Sequence, residues 1–460
     1  MENMPICLNC RLKITLNFKE GVYNYMSRVG IIGENSPNFI ELLIDIWNNG
    51  DCAVMIDWRI PIQTAVQMLI EANANKCYVE SKFYQDVYCV SKEVEMVSYD
   101  KTTNSADLLS KNIQNKYCAN YSTSEAVVIY SSGTTGKSKG VILSHKAINT
   151  NADGIIEHMK LSEKDCIYVA RSMSHASTLT GELLVALKSN INLVVAPTVV
   201  SPRFVFTNLN KFDVSILHIN PALLSLYTND LMHTPRKFPK LRMLYVSGSI
   251  LRDRVRDFAL YAFNDTPIYN AYGLTEAGPR VTTQKNCTRN SVGVAMKDVK
   301  IQIVGSKGEL KVMGEKGIIY IKTPSLFNGY ITETPKPMSP CGEWLISGDI
   351  GYIDAYAELQ IVDRADSMII VNSHNVYPRE VEKVIDSHPD VKESVVFPNP
   401  SEPDSGLICE FVGVDNTVDY HLPFDIRRWC FERLPSYEIP LKIIQVDKLR
   451  IHAKGGLVRN

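Results

Sequence analysis

"SSGTTGKSKG", Ser131 to Gly140, lies between the apolar runs "AVVIY" (Ala126 to Tyr130) and "VILSH" (Val141 to His145). A glycine-rich turn beside a strand gathers several amide N–H groups at one point and so favours an anion. Its Gly136-Lys137-Ser138 core matches the end of a P-loop, but the first glycine of the G-x-x-x-x-G-K-[ST] spacing falls at Ser131. The stretch is therefore either a phosphate loop of another kind or a tight surface turn with solvated lysines. The surrounding chain decides between these.

Upstream, the short apolar run "VGIIG" from Val29 is followed by "ENSPNFIELLIDIWNNG". Ser36 there suits an N-cap, Pro37 the first helical position and Gly50 the stop. Another apolar run, "CAVMI", comes next, then a helix predicted over Ile62 to Ala72 and the run "KCYVE". Such alternation predicts strands joined by crossover helices, a parallel-rich sheet with helices on both faces. Apolar strand cores recur at Ile191 to Ala196, Val214 to Ile219 and Leu241 to Gly248 and extend this layered α/β fold. After about Ser291 the texture becomes short alternating strands with glycine turns, which predicts a small antiparallel, barrel-like β unit over about 291–363. Beyond it, "SMIIV", "PREVEKVIDSH", "VKESVVFP", a helix around Phe424 to Arg433 and "KIIQV" predict a small α+β module. The expected division is a large domain over 1–363 and a small one over 366–460.

The totals exclude several classes of function. A chain of 460 residues with 45% hydrophobic and 22% charged residues has the composition of a soluble globular protein. A formal net charge of -1 provides no basic field for nucleic acid. No uninterrupted apolar run reaches the ~18 residues of a membrane span, and the opening segment lacks the apolar centre of a secretion signal. These features predict small-molecule chemistry in the cytoplasm, with no nucleic-acid or membrane partner. The eleven cysteines are scattered and read as reduced thiols; Cys7 and Cys10 have no second pair to complete a zinc site.

Three further clusters complete the picture. "NAYGLTEAG" (Asn270 to Gly278) places an aromatic ring, a hydroxyl and a carboxylate close together; "SGD" (Ser347 to Asp349) and "DR" (Asp363, Arg364) supply an acceptor and a donor able to bracket a ribose. With these in order, the sequence resembles the acyl-adenylate-forming superfamily of acyl- and aryl-CoA synthetases, peptide-synthetase adenylation domains and firefly luciferase. The resemblance runs from about Val29 to Arg459.

It implies ATP-dependent activation of a carboxylic acid to an acyl-adenylate, with release of pyrophosphate and then transfer to a phosphopantetheine thiol of CoA or a carrier protein. Ser131, Ser132, Gly133, Thr134, Thr135 and Lys139 would form the loop around the β- and γ-phosphates, with Lys137 at a variable position. Gly248 and Ser249 would lie against the adenine, with Asn270, Ala271 and Gly273 alongside and Tyr272 stacked on it. Thr275 would meet the α-phosphate, and Glu276 would hold Mg2+. Asp349 would accept from the ribose hydroxyls and Arg364 donate to them. Asp366 falls at the family's hinge, where a mobile C-terminal domain turns between the half-reactions.

The acyl group would meet His175, Leu179, His218, Tyr245, Ser247, Ala271 and Arg280. His175 stands where amino-acid-activating relatives carry an aspartate for the α-ammonium group. An aryl, hydroxy or fatty acid is therefore expected rather than an α-amino acid. Two histidines and an arginine suggest a polar or second anionic group on that acid, although His218 on an apolar strand also reads as a core residue. Two departures stand out. In "LRIHAKGGLVRN" the family's catalytic lysine is replaced by Gly456, leaving Lys454 two residues earlier as a substitute, or another cation. Ser373 occupies a position that is glycine in CoA ligases, which narrows the thiol route. An amide- or ester-forming ligase, and a degenerate nucleotide-binding member, are the alternative readings.

Overall fold

The computed structural model describes residues 26–90, 93–101, 105–132, 138–198, 201–285, 289–332, 335–372, 374–400, 406–414 and 420–449. The expectations placed on Gly133, Thr134, Thr135, Lys137, Ser373, Lys454 and Gly456 lie outside them. Helix Pro37–Asn48 begins as its sequence dictates. The Ser36 hydroxyl accepts from the Phe39 amide at 3.1 Å, Pro37 opens the helix, and Gly50 turns the chain at φ +82°. Such a cap stabilises a helix by about 1 kcal/mol.

The chain is α/β with mixed sheets, a large N-terminal domain and a small C-terminal one. A seven-stranded sheet runs in the order Gly329–Tyr330, Ser138–Ser144, Glu125–Ser132, Cys52–Asp57, Arg28–Gly33, Ala74–Glu80, Glu95–Tyr99. Its last five strands are parallel. The apolar runs flanking the glycine-rich stretch pair antiparallel instead, Ser131 opposite Lys139, so the stretch joins the two arms of a hairpin. An eight-stranded sheet is centred on Cys166–Val169, Ile216–Ile219, Met243–Val246 and Ile268–Gly273, all parallel neighbours. Buried residues of both sheets meet helices Pro37–Asn48 and His145–Met159 in one core, where Ile31, Leu43, Ile129, Ile148, Val169 and Ile216 are all nearly or fully inaccessible. The burial on both faces explains the continuously apolar strand sequences.

A four-stranded antiparallel sheet follows, of Lys300–Val304, Gly317–Lys322, Leu345–Ile353 and Leu359–Arg364. The residues after it have a core of their own, in which helices Pro378–Asp386 and Leu422–Phe431 cover strands Val391–Pro398 and Leu407–Gly413. The two lobes touch through the start of helix Asp253–Ala262. Arg252 pairs with Asp386 and donates to the Ser394 carbonyl at 3.1 Å, while Arg254 donates to the Val391 carbonyl.

Candidate active site

Cross-strand register assembles one end of the site. Asp349 and Arg364 are directly opposed on neighbouring antiparallel strands, and Arg364 Nη1 lies 3.2 Å from Asp349 Oδ1. The Tyr272 hydroxyl, arriving on strand Ile268–Gly273, donates to Asp349 Oδ2 at 2.6 Å. Gly348, between Ser347 and Asp349, sits at φ +76°, and a Cβ there would stand 3.3 Å from Arg364 Nη2. Its lack of a side chain lets the guanidinium close over the strand. The Asp349 amide donates to Ser347 Oγ at 3.0 Å, which fixes the turn. Burial raises the Asp349 carboxyl above its ordinary range, with Tyr272 and Arg364 pulling the other way. The result is a carboxylate held in place between a phenol and a guanidinium.

A second group forms where the hairpin meets the turn Thr275–Ala277. The Tyr330 hydroxyl donates to Glu276 Oε1 at 3.0 Å, and Lys139 Nζ lies 5.3 Å from the centre of the Tyr330 ring. Tyr330 arrives by pairing with Val141 at the sheet edge, four strands' worth of chain away from the motif it serves. Glu276 is one carboxylate rather than a cluster. A hard cation that keeps waters and phosphate oxygens in its shell needs no more from the protein, so the residues fit Mg2+. Gly273 is demanded by packing, since a Cβ would come 2.0 Å from the Pro279 carbonyl oxygen. Gly248 is left-handed at φ +100° with no atom within 4 Å of a Cβ, leaving a flat exposed backbone. Ser249 beside it is exposed as well. Asn270 is occupied structurally: its side-chain amide donates to the Ser291 carbonyl at 2.9 Å.

The third group is buried. His218 stacks on Tyr245 at 4.9 Å, Tyr245 on Tyr269 at 5.1 Å, and the Arg280 guanidinium lies 5.7 Å from the Tyr245 ring centre. Ala271 is buried one register step beyond, and Leu179 is fully buried in apolar packing. The sequence reading missed Arg171 and Glu182. Glu182 is fully buried and accepts two bonds from Arg171 at 2.7 and 3.2 Å, while Arg171 Nη1 reaches Ser247 Oγ at 3.4 Å. Burial lifts the Glu182 carboxyl to about 7 against the pull of Arg171 and Arg280. Glu182 sits on a one-turn π-helix, Leu179–Leu184, a local irregularity that a periodicity reading does not reveal. His175 is placed differently: its side chain is 55% exposed, with Nε2 4.0 Å from Asp57 Oδ2.

Comparison with known proteins agrees with this arrangement. A family model described as AMP-binding enzyme matches residues 16–331, and one described as AMP-binding enzyme C-terminal domain matches 380–455. The chain is 29% identical over 344 residues to the 2-succinylbenzoate--CoA ligase of Geobacillus kaustophilus, covering 73% of this chain and 68% of the relative. Its fold superposes on ATP-bound MatB from Rhodopseudomonas palustris with TM-score 0.82 at 20% identity, covering 94% of this chain and 87% of the other. For the Bacillus subtilis o-succinylbenzoate CoA synthetase in complex with the acyl-adenylate intermediate OSB-AMP, the TM-score is 0.78 at 22% identity, with the same coverages. Among the described residues no helix is long and apolar enough to cross a membrane. The chain belongs to the acyl-adenylate-forming family of AMP-binding enzymes.

Proposed function

We propose that the protein joins a carboxylic acid, of aryl rather than α-amino type, to AMP and then passes the acyl group to the thiol of CoA. The observation that carries this reading is the Tyr272–Asp349–Arg364 cluster, a fixed acceptor flanked by a ring and a cation. Asp349 accepts from the ribose hydroxyls, Arg364 opposes the burial that raises the Asp349 carboxyl, and the Tyr272 ring lies along the base. Lys139 and the loop hairpin hold the β- and γ-phosphates, and Thr275 meets the α-phosphate. Mg2+ bound at Glu276 would supply charge neutralisation of the phosphates, with Tyr330 orienting the carboxylate.

A carboxylate oxygen of the substrate attacks the α-phosphorus, and the bond to the bridging oxygen of pyrophosphate breaks. The thiol sulfur then attacks the acyl carbon; AMP leaves with the bonding electrons, and the thiol proton passes to solvent. Residues 1–363 hold the nucleotide and the acid, and 366–460 turn about Asp366 to bring one face, with Lys454, for the first step and another for the second. Asp366, in the short turn Ala365–Ser367, is bound to Arg364 Nε at 3.3 Å, so the pivot adjoins a nucleotide ligand. CoA is preferred to a carrier protein because the relatives are named CoA ligases. An aryl acid is preferred because relatives are named 2-succinylbenzoate--CoA ligase and 4-coumarate--CoA ligase. The described cysteines are free thiols, which suits the cytoplasm.

ATP–pyrophosphate exchange across a panel of aryl acids, followed by mass detection of the CoA thioester, tests the reading. Exchange with at least one acid and a thioester with CoA are expected. ATP binding without exchange for any acid would leave only a nucleotide-binding protein.

A further inference from the structure

The buried group around Tyr245 leaves polarity unanswered. Arg280 is 3% exposed; its Nη1 makes one long bond to Thr283 Oγ1 at 3.4 Å, and its Nη2 has no partner among the described residues. His218 is 1% exposed, and both ring nitrogens are likewise unpartnered, as is the Tyr245 hydroxyl. Buried polar groups are almost always satisfied, and an unpaired buried charge is costly. The acid of this group, Glu182, takes two bonds from Arg171 through Oε1, while its Oε2 has no partner among the described residues. Arg171 and Arg280 against Glu182 leave one positive charge in excess. The neighbouring imidazoles do not add to it: burial, with Arg280, holds both His218 and His158 below the ordinary histidine range.

Gly181 faces the same donors: a Cβ built there would crowd Arg280 Nη2 at 3.2 Å and come within 3.9 Å of His218 Nδ1, so the absence of a side chain keeps both uncovered. Depth is set by the sheet. His218, Tyr245 and Tyr269 stand in register, and Ser247 and Ala271 lie two residues further along the same strands, on the same face. Two residues of strand span roughly 7 Å.

We propose that this pocket binds a second carboxylate, so that the substrate is a dicarboxylic acid whose distal group pairs with Arg280 and accepts from His218 and Tyr245. The inference rests on the adenylating activity proposed above and names its substrate class.

The test is ATP–pyrophosphate exchange with matched pairs: straight-chain diacids from malonate to suberate against the corresponding monoacids, and 2-succinylbenzoate against benzoylpropionate and ortho-butyrylbenzoate, each lacking one of its carboxylates. The diacid of matching length is expected to exceed its monoacid in kcat/KM by about 100-fold or more, because a site built to bind a polar group rejects the analogue lacking it. Arg280→Gln is expected to lower that ratio at least tenfold, chiefly through KM. Gly181→Ala, which puts a methyl against Nη2, is expected to lower it too and gives the answer if Arg280→Gln fails to fold. Equal rates for diacids and monoacids, or a ratio unmoved by either variant, overturn the dicarboxylate inference and leave the ligase reading intact. No exchange with any acid overturns both.

Discussion

At the nucleotide end of the site, Tyr272, Asp349 and Arg364 are hydrogen-bonded to one another; at the acyl end, Arg280, His218 and Tyr245 lie stacked with their polar atoms unanswered. The first cluster is preorganised for a ligand part common to every turnover, and its own contacts hold the geometry. The second is completed by the part of the substrate that differs between enzymes. Polarity left open in a buried place serves as the discriminator, since a ligand unable to fill it leaves the cost in place. Arg171 and Glu182 stand between these extremes: Arg171 bonds Glu182 Oε1 and Ser247 Oγ, while Glu182 Oε2 is left without a partner among the described residues.

Breaking that buried pair is expected to produce the largest effect. Glu182→Ala leaves Arg171 buried without its partner and should destabilise the protein by about 3–5 kcal/mol, read by urea denaturation. Replacing both residues together with apolar ones of similar volume should recover most of that loss, which would show that the pair fixes geometry more than it stabilises. Next in size, Asp349→Asn should weaken ATP binding and exchange by about 100-fold, the equivalent of a charged hydrogen-bond network, with the diacid-to-monoacid ratio unchanged. A change in that ratio would mean that the two ends are not separate.

The smallest effect concerns the contact between the lobes. Burial raises the Asp386 carboxyl to about 6 from an ordinary 3.8, with Arg252 and Ser394 opposing and Glu382 assisting. Because the folded chain holds this proton more tightly than the unfolded one, the contribution is full below about 3.8 and is lost as pH rises through 6. Wild-type stability should therefore fall across that window by on the order of 1 kcal/mol more than that of Asp386→Asn, as measured by thermal melts at each pH. The same deprotonation charges the pair with Arg252, so a plot of the second half-reaction against pH should change slope near 6 in the wild type and not in Arg252→Gln.

The nucleotide end was legible because its residues fall in short runs, Asn270 to Gly278 and Ser347 to Asp349, whose members act within one turn. Asp349 and Arg364 required only that the intervening chain form a hairpin-like pair, which the alternating texture there predicts. Tyr330 was not legible: its role depends on an edge strand of two residues pairing with the hairpin arm, and no local pattern marks that contact. Arg171 and Glu182 escaped for a related reason, because a charge in an apolar run reads as a surface position until its buried partner is known. The apolar runs on either side of the glycine-rich stretch return antiparallel, because the stretch between them is too short for a crossover.

The lobes are docked partly by two arginines that donate to main-chain carbonyls, those of Ser394 and Val391, and partly by side-chain pairs: Arg252 with Asp386, Lys316 with Glu380, Arg379 with Asp363 and Lys383 with Asp253. Every residue type presents the same carbonyl. Exchanging the C-terminal lobe for that of a distant homologue should therefore retain the main-chain half of this seam wherever the strand Val391–Pro398 keeps its path, and only the side-chain pairs would need to be rebuilt.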